Sequence, residues 1–173
     1  MTSRWSKYGV ALAPNNSITT MLNGLLNGWT YDYRKQTSQL YEQGLRLKEA
    51  ADDALGRYTE QLRAELGNLR QSLPEPTREN PYPPMDGLQA VKDLEVYLRQ
   101  IEALRVSVIS APIPPRDLVW SGEGDYAWFL SNLSGIDVDI LKAIRDLDEN
   151  TISHVTALLA KRQEWLERYR ILR

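Results

Sequence analysis

Apolar residues recur every three or four positions along most of this chain, and the longest such stripe begins at Ile18. It runs through Leu22, Leu25, Trp29, Tyr33, Gln36, Leu40, Gly44, Leu47, Ala51, Leu55, Tyr58, Leu62, Leu66, Leu69 and Leu73 in repeating steps of four, three and four. Only Gln36 and Gly44 break it. An eleven-residue period corresponds to about 3.67 residues per turn, so one face of an α-helix stays apolar with almost no drift. The opposite face carries Arg46, Glu49, Asp53, Arg57, Glu60 and Arg63, mixed charges suited to water. Asn16 and Ser17 can cap the start, and Pro74 stops the helix. The pattern predicts a helix over about 17–73, roughly 85 Å long at 1.5 Å per residue. Gly24 and Gly28 each cost about 1 kcal/mol relative to Ala in a helix interior, so the N-terminal third is alternatively a separate or kinked helix.

"PEPTRENPYPP", residues 74–84, reads as a stiff extended turn. Asp86 is the expected cap of a second helix over about 86–110, with Leu88, Val91, Leu94, Leu98, Ile101, Leu104 and Val108 as its apolar face. The stretch "APIPPRDLVWSGEGDYAWFLSNLSG", residues 111–135, interrupts the helical pattern. Prolines at 112, 114 and 115 hold it extended. A short helix is expected from Asp125, closed by Gly135, with Tyr126, Phe129, Leu130 and Leu133 plugging the bundle where the second helix stops. Asp137 is the expected cap of a last helix over about 138–172, whose final turns carry Lys161, Arg162, Arg168, Arg170 and Arg173 as cations favoured by the helix dipole.

These elements predict an all-α fold: one helical domain over residues 1–173, an elongated bundle of three long amphipathic helices plus one short helix in the 111–136 crossover, with coiled-coil-like packing. At 173 residues the chain is long enough to bury roughly 70% of its extended surface. Length also limits coverage. A second helix of about 35 Å returning antiparallel covers only the Pro74 end of the first, and a third of about 50 Å must run parallel to the first. The Ile18–Trp29 end of the stripe is then left for a partner, unless the chain folds back at Gly24–Gly28 and buries it internally.

Composition narrows the chemistry. There is no cysteine, which excludes disulfides, thiol nucleophiles and thiolate metal sites. That suits a reducing compartment, and "MTSRWSKYGVALAPNNS" lacks the continuous apolar run of a secretory signal, so a soluble, cytoplasmic protein is expected. Residues 8–31 are uncharged but too rich in Asn, Thr and Ser for a spanning helix. A net charge of −2 gives no global pull toward nucleic acid, which ranks as a partner behind protein and membrane surface.

His154 is the single histidine, and no carboxylate lies three or four residues from it to make a metal pair on one helix face. "DLDENT", residues 146–151, starts like a calcium loop, but Thr151 stands where the glycine is needed and Ala157 where the bidentate Glu is needed. "GEG" at 122–124 has no phosphate-loop spacing, and no serine sits in a nucleophile elbow. Asp52 and Asp53 fall on a solvated helix face. No metal, cofactor or small-molecule substrate is indicated, and the chain does not read as an enzyme.

What remains is an interaction protein. The sequence predicts a non-enzymatic structural or adaptor subunit that self-associates as a homo-oligomer or docks another protein through its first helix. Ile18, Leu22, Leu25, Trp29 and Tyr33 are the candidate contacts there, and Trp120 and Trp128 are candidate anchors in the crossover. Of these two, Trp128 is expected to be mostly buried beside Phe129 and Trp120 to be the more exposed. The alternative is a peripheral protein that lays an amphipathic helix on a membrane surface, because Arg4, Lys7, Arg34 and Lys35 stand among Trp5, Tyr8, Trp29 and Tyr31.

Overall fold

In the computed structural model, the residues described are 36–75, 77–78, 82, 84–114, 126–147 and 150–169. Among them are four helices and no strand: α1 (Gln36–Gln71), α2 (Met85–Ser110), α3 (Tyr126–Arg145) and α4 (Thr151–Arg168). The all-α expectation holds. The residues before Gln36, with Ile18, Leu22, Leu25, Trp29, Tyr33 and the Gly24–Gly28 question, lie outside the described residues, and so does Trp120.

The long stripe is the buried edge of α1: Gly44, Leu47, Ala51, Leu55, Tyr58, Leu62 and Leu66 all face inward, and Leu69 is half-buried. Arg46, Glu49, Arg57, Glu60 and Arg63 face water, as the pattern requires. On α2 the buried edge is Ala90, Leu94, Tyr97, Ile101, Leu104 and Val108. Leu94, Ile101, Leu104 and Val108 of the expected face are there and Val91 and Leu98 are half-buried beside them, but Leu88 is exposed, and Ala90 and Tyr97 join the core instead. Asp86 is not the cap. The helix starts one residue earlier, after Pro84, and Asp86 sits in its first turn, where a carboxylate meets the positive end of the dipole.

Cross-helix pairs give the topology. Arg63 binds Glu102 at 2.6 Å, Arg70 binds Glu95, and Arg105 binds Asp52, so α2 runs antiparallel to α1. Gln43 reaches Ser134 and Asp137, and the Tyr58 hydroxyl donates to the Arg145 carbonyl at 3.1 Å, so α3 runs parallel to α1. α4 returns antiparallel along α3, with Arg162 on Asp137 and the Thr151 hydroxyl on the Ala143 carbonyl. α2 and α4 also pack, which closes a ring in the order α1, α2, α4, α3. Residues 111–125 therefore join helices at opposite corners. Ala111, with φ −55° and ψ 138°, shows the extended start that the following proline imposes.

Two expected boundaries are corrected. α3 does not stop at Gly135 but runs through it to Arg145. Gly135 is exposed, with nothing within 4 Å of where a Cβ would stand, and its helix penalty of about 1 kcal/mol is outweighed by the buried row Leu133, Ile136, Ile140, Leu141 and Ile144 around it. The helix expected over about 138–172 is two helices. It breaks between Arg145 and Thr151, where Asp146 and Asn150 are poor helix formers that favour turns and caps. So the segment read as a failed calcium loop is the turn of the α3–α4 hairpin, with Asn150 at the N-cap of α4. No described helix is long and apolar enough to cross a membrane.

Candidate functional site

At the end of the bundle formed by the starts of α1 and α3, the tail of α2 and the end of α4, two unusual features lie side by side. The first is a buried polar centre. Asp137 is fully buried, and its Oδ1 accepts from Arg162 Nε at 2.8 Å while its Oδ2 accepts from Gln43 Nε2 at 2.7 Å. Arg162, 3% exposed, also donates through Nη1 to the Pro112 carbonyl at 2.8 Å. Gln43 Nε2 lies 3.2 Å from Ser134 Oγ, and Ser134 donates back to the Leu130 carbonyl at 2.9 Å. Desolvation pushes the Asp137 carboxyl above the usual carboxylate range, against the opposing pull of the Arg162 charge and the hydrogen bonds from Arg162 and Gln43. Burial, and then the Arg162 charge, pull the Lys48 ammonium down from its ordinary value.

Neither member of the ion pair was legible in its role. Asp137 is not the cap of a helix but a mid-helix residue turned inward, because a guanidinium and an amide wait for it across the core. Arg162 is not a solvated dipole cation. One sequence signal marked the place: the break in the α1 stripe at Gly44. A Cβ there would stand 2.9 Å from Ile113 Cγ2 and 3.6 Å from Arg162 Nη2, so the absent side chain makes room for the segment whose carbonyl receives Arg162.

The second feature is an aromatic stack. Tyr126, Phe129, Leu130 and Leu133 are buried with Leu166, which places the expected plug at the end of the bundle. Phe129 lies 5.0 Å from Tyr169 and stacks on Trp165 at 6.1 Å. Trp128 packs on Trp165 at 5.4 Å and on Tyr169 at 6.3 Å, yet 51% of it is exposed. This corrects the expectation that Trp128 is mostly buried. Successive helix residues point about 100° apart, so with Phe129 inward Trp128 is turned onto the flank. The Trp165 indole N–H has no hydrogen-bond partner among the described residues. Elsewhere the exposed apolar side chains are spread along α2 (Met85, Leu88, Val96, Val106, Ile109), with Lys92, Glu95 and Arg99 between them, and such single groups need no partner.

Two predictions arise here. Trp128→Ala should cost about 1 kcal/mol in chemical denaturation, since half the ring is already in water and only its aromatic contacts are lost. Burial pushes the Tyr126 phenol up to about 12. The unfolded chain releases that proton near 10 while the folded one keeps it, so stability falls as pH rises from about 10 to about 12. Tyr126→Phe should flatten that decline, measured as denaturant midpoints at pH 9 and pH 11.

The turn of the α3–α4 hairpin borders an open cleft of ≈ 440 Å³ lined by Asp139, Lys142, Ala143, Asp146, Asn150, Thr151 and His154. His154 is exposed there. Among the described residues no three His, Cys, Asp or Glu side chains are grouped to hold a metal ion. Asp52 and Asp53 are taken up by Arg105 and Arg57. No family model, curated protein or solved structure matches the chain.

Proposed function

We propose that this protein is a non-enzymatic structural or adaptor subunit that self-associates or docks a protein partner through an amphipathic helix. The observation that carries this reading is Trp128. A tryptophan packed against Trp165 and Tyr169 and left half in water has the character of an interface anchor: a large apolar area already braced by neighbouring rings. In the sequence, the stripe buried along α1 continues with the same stepping back to Ile18, which supports a contact beyond the stretch that α2 and α3 cover. That continuation supports an elongated assembly with coiled-coil-like packing, and we add Trp120, in the crossover that precedes α3, as a further candidate anchor.

Light scattering tests the reading. The wild-type mass should exceed the 19.8 kDa of one chain. Leu22→Asp with Leu25→Asp should bring it back toward one chain with helicity retained, because unpaired charges at a buried contact cost several kcal/mol. A strict monomer that binds no protein partner removes the main support for the proposal, and a monomer that co-sediments with liposomes replaces it with the membrane-surface reading.

A further inference from the structure

Burying an ion pair is a poor way to stabilise a helical core, because two desolvation costs roughly offset the attraction and apolar replacements of similar volume are often neutral or better. Asp137 and Arg162 are nonetheless buried almost completely, and their remaining polar atoms are met from separate elements: Gln43 on α1 and the Pro112 carbonyl just beyond α2. The surrounding core is different in kind. Leu47, Ala51, Leu55, Ile140, Leu141 and Ile144 belong to one mainly aliphatic cluster, which also takes in Tyr58 and Tyr97. Such faces offer apolar contact in more than one register: a slide of one helix along another by a turn, about 5.4 Å, again sets apolar side chains against apolar side chains, though not of equal size, since Ala51 stands a turn from both Leu47 and Leu55. The polar centre does not exchange. One turn along α1 after Gln43 stands Leu47, which has no donor to offer the Asp137 carboxylate; one turn before it stands Gln39, but a slide of the hairpin that way takes Arg162 from the Pro112 carbonyl. A turn's slide of α4 likewise takes the guanidinium from both of its acceptors, and Gly44 clears space for Ile113 at one level of α1 alone.

The geometry points to a register lock: Gln43, Ser134, Asp137 and Arg162 select a single docking register of the α3–α4 hairpin on α1 and the end of α2, and contribute specificity instead of stability. It concerns the single chain and is independent of the assembly reading. The test replaces the lock by apolar groups in the full chain, Gln43→Leu with Asp137→Leu and Arg162→Met. Ser134 stays satisfied by the Leu130 carbonyl in this variant. The expected result is a denaturation midpoint equal to or above wild type, together with two or more amide resonances for each α3 and α4 residue where the wild type gives one. A single set of native-like resonances overturns the lock. Loss of folding in both this variant and a smaller set, Gln43→Leu with Asp137→Val and Arg162→Leu, overturns it too, because the network is then a source of stability.

Discussion

Arg162→Met alone should destabilise the protein by about 3–5 kcal/mol, the usual cost of stranding one member of a buried ion pair. It leaves the Asp137 carboxylate fully buried with Gln43 as its remaining donor, and it leaves the Pro112 carbonyl without the guanidinium. Asp137→Leu should cost a similar amount for the converse reason, a buried guanidinium facing no carboxylate. The double replacement should cost much less than the sum, and a double-mutant cycle by chemical denaturation measures the difference. Additive losses would mean that the two residues act separately. The pH dependence of Arg162→Met carries a sign of its own. Burial already raises the Asp137 carboxyl above its unfolded value, and removing Arg162 removes the largest opposing influence. A carboxyl raised by folding binds its proton more readily in the folded state, so protonation favours the fold as pH falls through the raised value. The gap between Arg162→Met and wild type should therefore narrow on moving from pH 7 to pH 5.

Phe129→Ala should cost about 3–5 kcal/mol, the range for emptying a large aromatic site in a packed interior. Phe129 is fully buried and is the ring on which Trp165 and Tyr169 both rest. Its loss should also alter the near-ultraviolet circular dichroism of the tryptophans, since Trp128 packs on the same two residues. The contrast with Trp128→Ala, next along the same helix, is the informative measurement. Equal losses at the two positions would place Trp128 in the core and remove it as an interface anchor.

The sequence by itself determined that the fold is all-α and which edge of α1 is buried. Periodicity is a local property: steps of three and four residues put Leu47, Ala51, Leu55, Tyr58, Leu62 and Leu66 on one face whatever they meet. Proline does the rest, stopping α1 before Pro74 and holding the chain extended at Ala111. The antiparallel return of α2 followed from length and connection alone, whereas the third long helix expected to run parallel to α1 is divided: its start runs parallel as the end of α3, and its larger part, α4, runs antiparallel. Only the tertiary structure decided where Asp137, Arg162 and Trp128 went. Asp137 and Arg162 look like an N-cap and a solvated end charge because their partners lie 25, 50 and 94 residues away, at Arg162 and Asp137, Pro112 and Gln43. Gly135 looks like a helix end until the buried rows on both sides of it outweigh its cost. Trp128 looks buried because tryptophan usually is, but Phe129 and Leu130 take the inward positions against Trp165, Tyr169 and Leu166, and Trp128, about 100° back around the helix, is left on the flank. Local pattern fixes a helix and its apolar edge; a charge or a ring at the margin of that edge takes its place from what stands across the core.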